Sequence, residues 1–358
     1  MDIKYNIDCR HFRGDVPCKP HKEFGVHCID CSNYEKTDGT ILIIKLGAIG
    51  DVIRTTPLLH KIKQEYPNHI ITWLTYSPDI VPSSFVDNVF PFNLESIIVL
   101  QNSKFSLLIN LDKDLQACSL ASSISAEKKA GFIIENNKPV PANSLAKDKY
   151  LTGLFDDVNK ANKKNYLEEI FEICGWNFKG EEYILDFNDE YVWDIQSEGK
   201  SIVGLNTGCG DRWRSRLWKD EYWLDLISRL QAGGYFPLLL GGAQEHEKNK
   251  SLSEKSGAYY PGNFSLKQFI SLMNRCDSVV TAVTMGLHIA IGLKKNVVLM
   301  NNIFNPNEFE LYNRGEIISP DKECKCFFSP NCKNDDYFCL EYLKPDKIFE
   351  AVKRGLAK

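Results

Sequence analysis

The chain has 358 residues, of which 43% are hydrophobic and 25% charged, with a net charge of −4. This is the make-up of a globular protein with room for two ordinary domains, and its charge gives no electrostatic case for a nucleic-acid or anionic-membrane partner. No apolar run nears the ~20 residues that span a bilayer and no signal peptide opens the sequence, so a cytoplasmic protein with reduced thiols is expected.

Residues 1–39 mix charges, Gly, Pro, His and Cys with little hydrophobic periodicity, and read as a loop-rich module. From Thr40 the texture becomes that of an α/β domain. Residues 40–46 (TILIIKL) read as a buried parallel strand, and residues 52–66 carry apolar residues at helical spacing. Strands are expected over 68–76, 96–100 (SIIVL), 105–112 and 128–134, with a helix over 114–124. Residues 150–200 are less patterned, apart from a helix over 166–176. At Ser201 the alternation returns: strands over 201–208, 235–242, 277–283 and 296–300, with helices over 221–234, 266–276 and 285–293. The expected fold class is α/β, with two doubly wound Rossmann-like domains over 40–195 and 196–358.

In such sheets ligands bind beyond the carboxyl ends of the strands. Four loops have that position: 46–51 from the first half, and 205–216, 241–242 and 281–288 from the second. Two domains facing a cleft would bring them together. In the last loop, backbone N–H groups of Met285, Gly286 and Leu287 at a helix start would form an anion site, with His288 either facing the ligand or lying in the core. The stretch NTGCGDRWRSRLWK places Arg212, Arg214, Arg216 and Lys219 among Trp213 and Trp218. Arginine forks suit a pyrophosphate, although the same stretch also reads as a solvated helix start. Together the loops favour a diphosphate-bearing ligand. A carboxylate, Asp51, begins the helix after the first loop. It is misplaced as a phosphate ligand, and two readings stay open: a general base for a second substrate, or a plain helix N-cap. Asp112 and Asp114, at another strand end, are the alternative bases.

The run ILIIKLGAIGDVIRTTPLLHKIKQEYP resembles the opening motif of family 9 glycosyltransferases, the ADP-heptose heptosyltransferases. The NTG…WRSRLWKDEYW loop, LLLGG followed by Glu245, and the MGLHIAIGL helix follow in that family's order, over about residues 40–350. The resemblance implies a GT-B fold with an acceptor-side domain first and a nucleotide-sugar domain second. It implies inverting transfer with no catalytic metal, Asp51 as the base, and Arg216 on the donor diphosphate. Donor contacts are implied from Asn206, Thr207, Gly208, Gly241, Gly242, Glu245, Thr284, Met285, Gly286, Leu287 and His288. Where family members often carry an acid, this chain has Val283, which bears on how the donor sugar is read. The segment after residue 288, with a cysteine cluster behind it, is most similar to the branch that transfers heptose to serines of bacterial autotransporter adhesins and carries an iron-bound cysteine finger. The expected acceptor is therefore a protein Ser or Thr hydroxyl, with a lipopolysaccharide-core or other glycan as the alternative. A nucleotide-sugar epimerase and a non-catalytic, metal-stabilised binding protein are the rivals of another kind.

Twelve cysteines are unusual for a reducing compartment. Cys118, Cys174, Cys209 and Cys276 are isolated and read as small buried hydrophobes. Cys9, Cys18, Cys28 and Cys31, and then Cys324, Cys326, Cys332 and Cys339, form clusters at the two ends. Four thiolates suit structural iron or zinc, in one shared site or two, with His11, His21 or His27 as substitutes in the first. A metal would order the coreless segment 1–39, shaping an acceptor surface or a homo-oligomer contact.

Overall fold

The computed structural model describes residues 4–187, 190–210 and 213–357. Arg212, one of the four cations in the 205–219 stretch, lies outside the described residues. The chain divides into two compact units.

The first unit comprises Met1–Gly47, Leu58–Lys147 and Ile173–Gly175. Its sheet contains β1 (Gly39–Ile44), β2 (His69–Thr75), β3 (Asn88–Pro91), β4 (Lys104–Asn110), β5 (Ser125–Glu135) and β6 (Lys138–Pro141). The order is β3-β2-β1-β4-β5-β6, parallel except for the β5–β6 hairpin. The unbroken apolar run of β1 follows from its central place: Ile41 to Ile44 are fully buried, as a strand covered on both faces requires. Leu42, Ile44, Leu74, Phe105, Leu108 and Leu120 form its core.

Two expectations change here. Residues 96–100 are not a strand but lie within the helix Leu94–Gln101. Asn93 caps that helix, its side chain accepting the Ser96 N–H, and Ile98 and Val99 face solvent, so local capping outweighs the β-branched run. The third strand is Asn88–Pro91 instead. The expected helix over 52–66 is broken in two, Ile49–Ile53 and Leu58–Glu65. Pro57 lacks an N–H, and the Thr55 and Thr56 hydroxyls take the carbonyls of Asp51 and Ile53.

The second unit comprises Ala48–Pro57, Asp148–Glu172 and Trp176–Lys358. Its sheet contains β7 (Ile202–Asn206), β8 (Phe236–Leu240), β9 (Ser278–Ala282), β10 (Asn296–Met300) and β11 (Gly315–Ile318). All pairs are parallel, in the order β11-β10-β9-β7-β8. Leu205, Trp223, Leu239 and Val280 share a core with Leu343 and Val352 from the carboxyl-terminal segment, which ends in the helix Pro345–Leu356. Trp218 fastens that segment by donating its indole N–H to the Leu343 carbonyl at 2.9 Å. Among the described residues no helix is long and apolar enough to cross a membrane.

Candidate functional site

Strand order reverses between β7 and β9, so the crevice at their carboxyl ends is where an α/β sheet receives a ligand. Asn206 ends β7, and its amide donates to Thr281 Oγ1 at 2.9 Å and Thr284 Oγ1 at 3.0 Å, tying the two strand ends together. Thr284 caps the helix Met285–Gly292: its hydroxyl accepts the Gly286 N–H at 3.1 Å, and its carbonyl accepts the Leu287 N–H. Two of the three amides expected to bind an anion are thus engaged within the helix's own first turn.

The β8 loop supports the same crevice. Glu245 accepts the Gly242 N–H at 3.0 Å and packs so closely that a Cβ on Gly208 would lie 2.0 Å from its Oε1. Thr207 is buried and donates to Asn249, while Gly241 packs against Asn249 and Glu245. Arg216 is buried, donating to the carbonyls of Val283 and Cys209. Its guanidinium lies over the rings of Trp213 and Phe304, and burial lowers its pKa to about 10, so the cation persists at neutral pH.

The helix Ile49–Ile53 belongs to this unit and meets the helix Met285–Gly292 directly. Gly50 permits that approach, because a Cβ there would lie 2.7 Å from His288 Cδ2. The N-cap of the short helix is Ala48, not Asp51, which lies in its first turn. The Asp51 carboxylate is about one-third exposed and pairs with Arg54 Nη2 at 2.9 Å. Arg54 also holds Glu308 Oε1 at 3.0 Å and lies 3.6 Å over the Tyr166 ring. Burial opposes its charge, yet Asp51, Tyr166 and Glu308 more than offset this and raise its pKa above the ordinary value. His288 is buried under the same cluster; burial, then the Arg54 charge, pushes its pKa down to about 3. It is a neutral imidazole at pH 7, with Nδ1 3.4 Å from the Tyr183 hydroxyl.

These elements enclose a cavity of about 690 Å³ within the second unit, a volume suited to a small-molecule ligand. Of the residues expected at the site, Asp51, Asn206, Gly208, Arg216, Gly242, Glu245, Thr284, Met285, Gly286 and His288 line it. Thr207 lines a neighbouring cavity of about 430 Å³ that shares Gly208 and Glu245, whereas Gly241 and Leu287 lie behind the walls of both. Lining residues that the motifs did not single out are Arg54, Glu308, Gln244 and the aromatics Phe264, Phe269, Phe304, Phe309 and Phe328. Arg54 was findable, one helical turn from Asp51. Glu308 was not, being 254 residues from the arginine it meets.

Asp112, an alternative base in the sequence, has a different task in the first unit. It is buried, accepts from Lys45 Nζ and from the Leu46 and Gly47 N–H groups, and so fastens the end of β1. Asp114 is the N-cap residue of the helix Leu115–Ser123.

The cysteine clusters do not meet the expectation of a metal. Among the described residues, no group of three or more His, Cys, Asp or Glu is placed to hold a metal ion. Cys9, Cys18, Cys28 and Cys31 line one cavity of about 510 Å³, but two histidines beside them are engaged elsewhere, His21 with the Val26 carbonyl and His11 with Glu35. At the other end the four thiols lie near one another: Cys326 Sγ is 3.7 Å from Cys332 Sγ, Cys324 hydrogen-bonds to Cys339 and accepts the Cys326 N–H at 3.4 Å, and Cys339 also acts electrostatically on Cys332. The amino-terminal segment is held by other means. Cys9 and Lys36 form an antiparallel bridge, Tyr34 donates to Asp8, and Arg10 pairs with Asp87 and the His69 carbonyl. Cys118, Cys209 and Cys276 are buried, as expected, while Cys174 is only partly so.

Residues 98–338 match the family described as Glycosyltransferase family 9 (heptosyltransferase). A curated relative named Lipooligosaccharide heptosyltransferase 2, from Campylobacter jejuni subsp. jejuni serotype O:6, is 20% identical over 330 residues, 86% of this chain and 96% of the relative. Among solved structures, E. coli ADP-heptose lps heptosyltransferase II superposes with a TM-score of 0.63 at 15% identity, covering 89% of this chain and 98% of that one. TibC from enterotoxigenic E. coli, described as a dodecameric iron-containing heptosyltransferase in complex with ADP-D-beta-D-heptose, gives a TM-score of 0.58 at 12% identity, covering 89% of this chain and 76% of TibC. At such identities these structures show the fold: two Rossmann-like parallel-sheet domains, as in GT-B enzymes.

Proposed function

Because the chain belongs to glycosyltransferase family 9, the heptosyltransferases, we propose that it moves heptose from ADP-heptose to an acceptor hydroxyl with Asp51 as the base. The observation that carries this reading is that Asp51, a partly exposed carboxylate, lines the same cavity as Arg216 and the Thr284–His288 turn. The names of the heptosyltransferase II and TibC structures, both with ADP-heptose, support the donor. An epimerase or a non-catalytic binding protein is not favoured by the family match.

In the proposed step the Asp51 carboxylate accepts the hydroxyl proton as the acceptor oxygen bonds to the anomeric carbon. The anomeric C–O bond to the β-phosphate breaks, and its electron pair leaves with ADP. Arg216, held in place by two carbonyls, offers positive charge to that leaving group, with the turn at Thr284 beside it. His288 contributes no charge, since burial keeps it neutral. Its part is to support Gly50 and hence the carboxylate next to it.

For the acceptor, two relatives named Lipooligosaccharide heptosyltransferase 2 favour a glycan hydroxyl over the protein Ser or Thr of the autotransporter branch. That branch draws support from the fold likeness to TibC alone. The test incubates the protein with ADP-heptose and either a truncated lipooligosaccharide core or an unglycosylated adhesin passenger. Mass spectrometry then reads the acceptor. Gain of one heptosyl unit on the core is expected; gain on the protein instead moves the enzyme to the other branch, and ADP-heptose untouched with both contradicts the donor.

A further inference from the structure

Arg54 stands between two carboxylates that reach it from distant parts of the sequence. Asp51 takes one end of the guanidinium at 2.9 Å and Glu308 the other at 3.0 Å, with side-chain exposures of 35% and 15%. The Tyr166 ring closes one face, and Nε–H has no hydrogen-bond partner among the described residues. Glu308 is not a mobile surface acid. It ends the turn Pro306–Glu308, whose capping residue Asn305 is buried and donates to the carbonyls of Asn159 and Asn162 at 2.6 and 2.8 Å. All three charged groups line the cavity.

One cation shared by two anions has a consequence for proton transfer. A carboxylate paired with an undivided guanidinium is a weaker base, because the cation favours its ionised form. A carboxylate with no partner turns freely and is not aimed. We propose that Arg54 and Glu308 are a positioning pair for Asp51: Arg54 fixes the direction of the carboxylate, while Glu308 anchors the guanidinium and takes up part of its charge, leaving Asp51 able to accept a proton. This rests on the reading of Asp51 as the base and adds two residues to it. The other groups facing this cluster are His288 from the helix Met285–Gly292, Tyr166 from the helix Tyr166–Ile173, and Tyr183 and Glu310 from neighbouring loops. His288 is neutral and burial keeps Tyr183 protonated, so among these neighbours Arg54, Glu308 and Glu310 carry formal charge.

The two members of the pair act on Asp51 with opposite sign, and that is what the experiment reads. The protein is labelled with carboxyl-¹³C aspartate, without any substrate, and the Asp51 resonance is identified by its loss in Asp51→Asn. Arg54→Met should raise the Asp51 titration midpoint by about one pH unit or more, the scale of removing an adjacent opposite charge. Glu308→Gln should lower it, and Arg54→Lys should return it toward the wild-type value while leaving transfer impaired, since the fork is lost. Midpoints unchanged in both Arg54→Met and Glu308→Gln would overturn the pair, whatever happens to activity. If the midpoints move as stated but Asp51→Asn still transfers heptose, the base assignment fails instead, and the proposal falls with its premise.

Discussion

As the proposed base, Asp51 depends on what surrounds it, and His288 is the neighbour whose chemistry is easiest to isolate. Its imidazole is buried with a pKa of about 3 in the folded protein. In the unfolded chain the group takes a proton at its ordinary value of about 6.5. Between those values the unfolded state binds a proton that the folded state refuses, so stability falls as pH drops through 6.5 toward 3 and is unaffected above. In His288→Gln this contribution disappears. The fall in Tm between pH 7 and pH 4 should be shallower in the variant than in the wild type, and parallel curves would refute the buried neutral state. Much of the residue-scale site was legible: the carboxylate, the two glycine-rich turns and the arginine loop all announced themselves by type and spacing. What did not were partnerships. Asp51 reads equally as cap and base in the sequence; Ala48 holds the capping position and the carboxylate turns toward Arg54, which removes the cap reading and leaves the base as a proposal. Glu308 bears no motif at all.

Between elements, the close contact of the helices Ile49–Ile53 and Met285–Gly292 is the feature on which the site depends. A methyl group on Gly50 would lie 2.7 Å from His288 Cδ2 and 3.4 Å from Met285 Cα. The ring has little room to give, being buried against Tyr183. Gly50→Ala should therefore cost about 1–3 kcal/mol in urea unfolding, the usual penalty for overpacking. Because the displaced residue adjoins Asp51, kcat should fall at least tenfold while ADP binding holds. Wild-type kcat in the variant would mean that the helix contact does not set the carboxylate. The sequence conveyed the elements better than their ends. β1 and β10 stand out as apolar runs because both faces are covered. The apolar spacing after β1 reads as one helix through Pro57, because it persists on both sides of a break made by one missing N–H. SIIVL misled for the opposite reason: its composition is that of a strand, but Asn93 starts a helix there and two of its apolar residues reach solvent.

At the scale of the whole molecule, both sheets reverse order beside the first strand of their half, β1 against β4 and β7 against β9. The second switch point carries the ligand-facing loops, while the first is closed by Lys45 and Asp112 bonded to each other and to the chain after β1. Alternating strands and helices made the two-sheet α/β architecture readable, and ordered motifs made the family readable. For the terminal cysteines the sequence offers spacing alone, which says nothing about where the side chains point. Backbone bridges and ion pairs hold the first segment. The central claim is that Asp51 accepts the proton of the attacking hydroxyl. Its most direct test is the turnover of Asp51→Asn, whose side chain keeps the shape but not the charge, measured beside the thermal shift that ADP produces. A loss of about 10²–10⁴ in kcat with an unchanged ADP-induced rise in Tm is the expected result. Transfer at the wild-type rate by that variant would contradict the account.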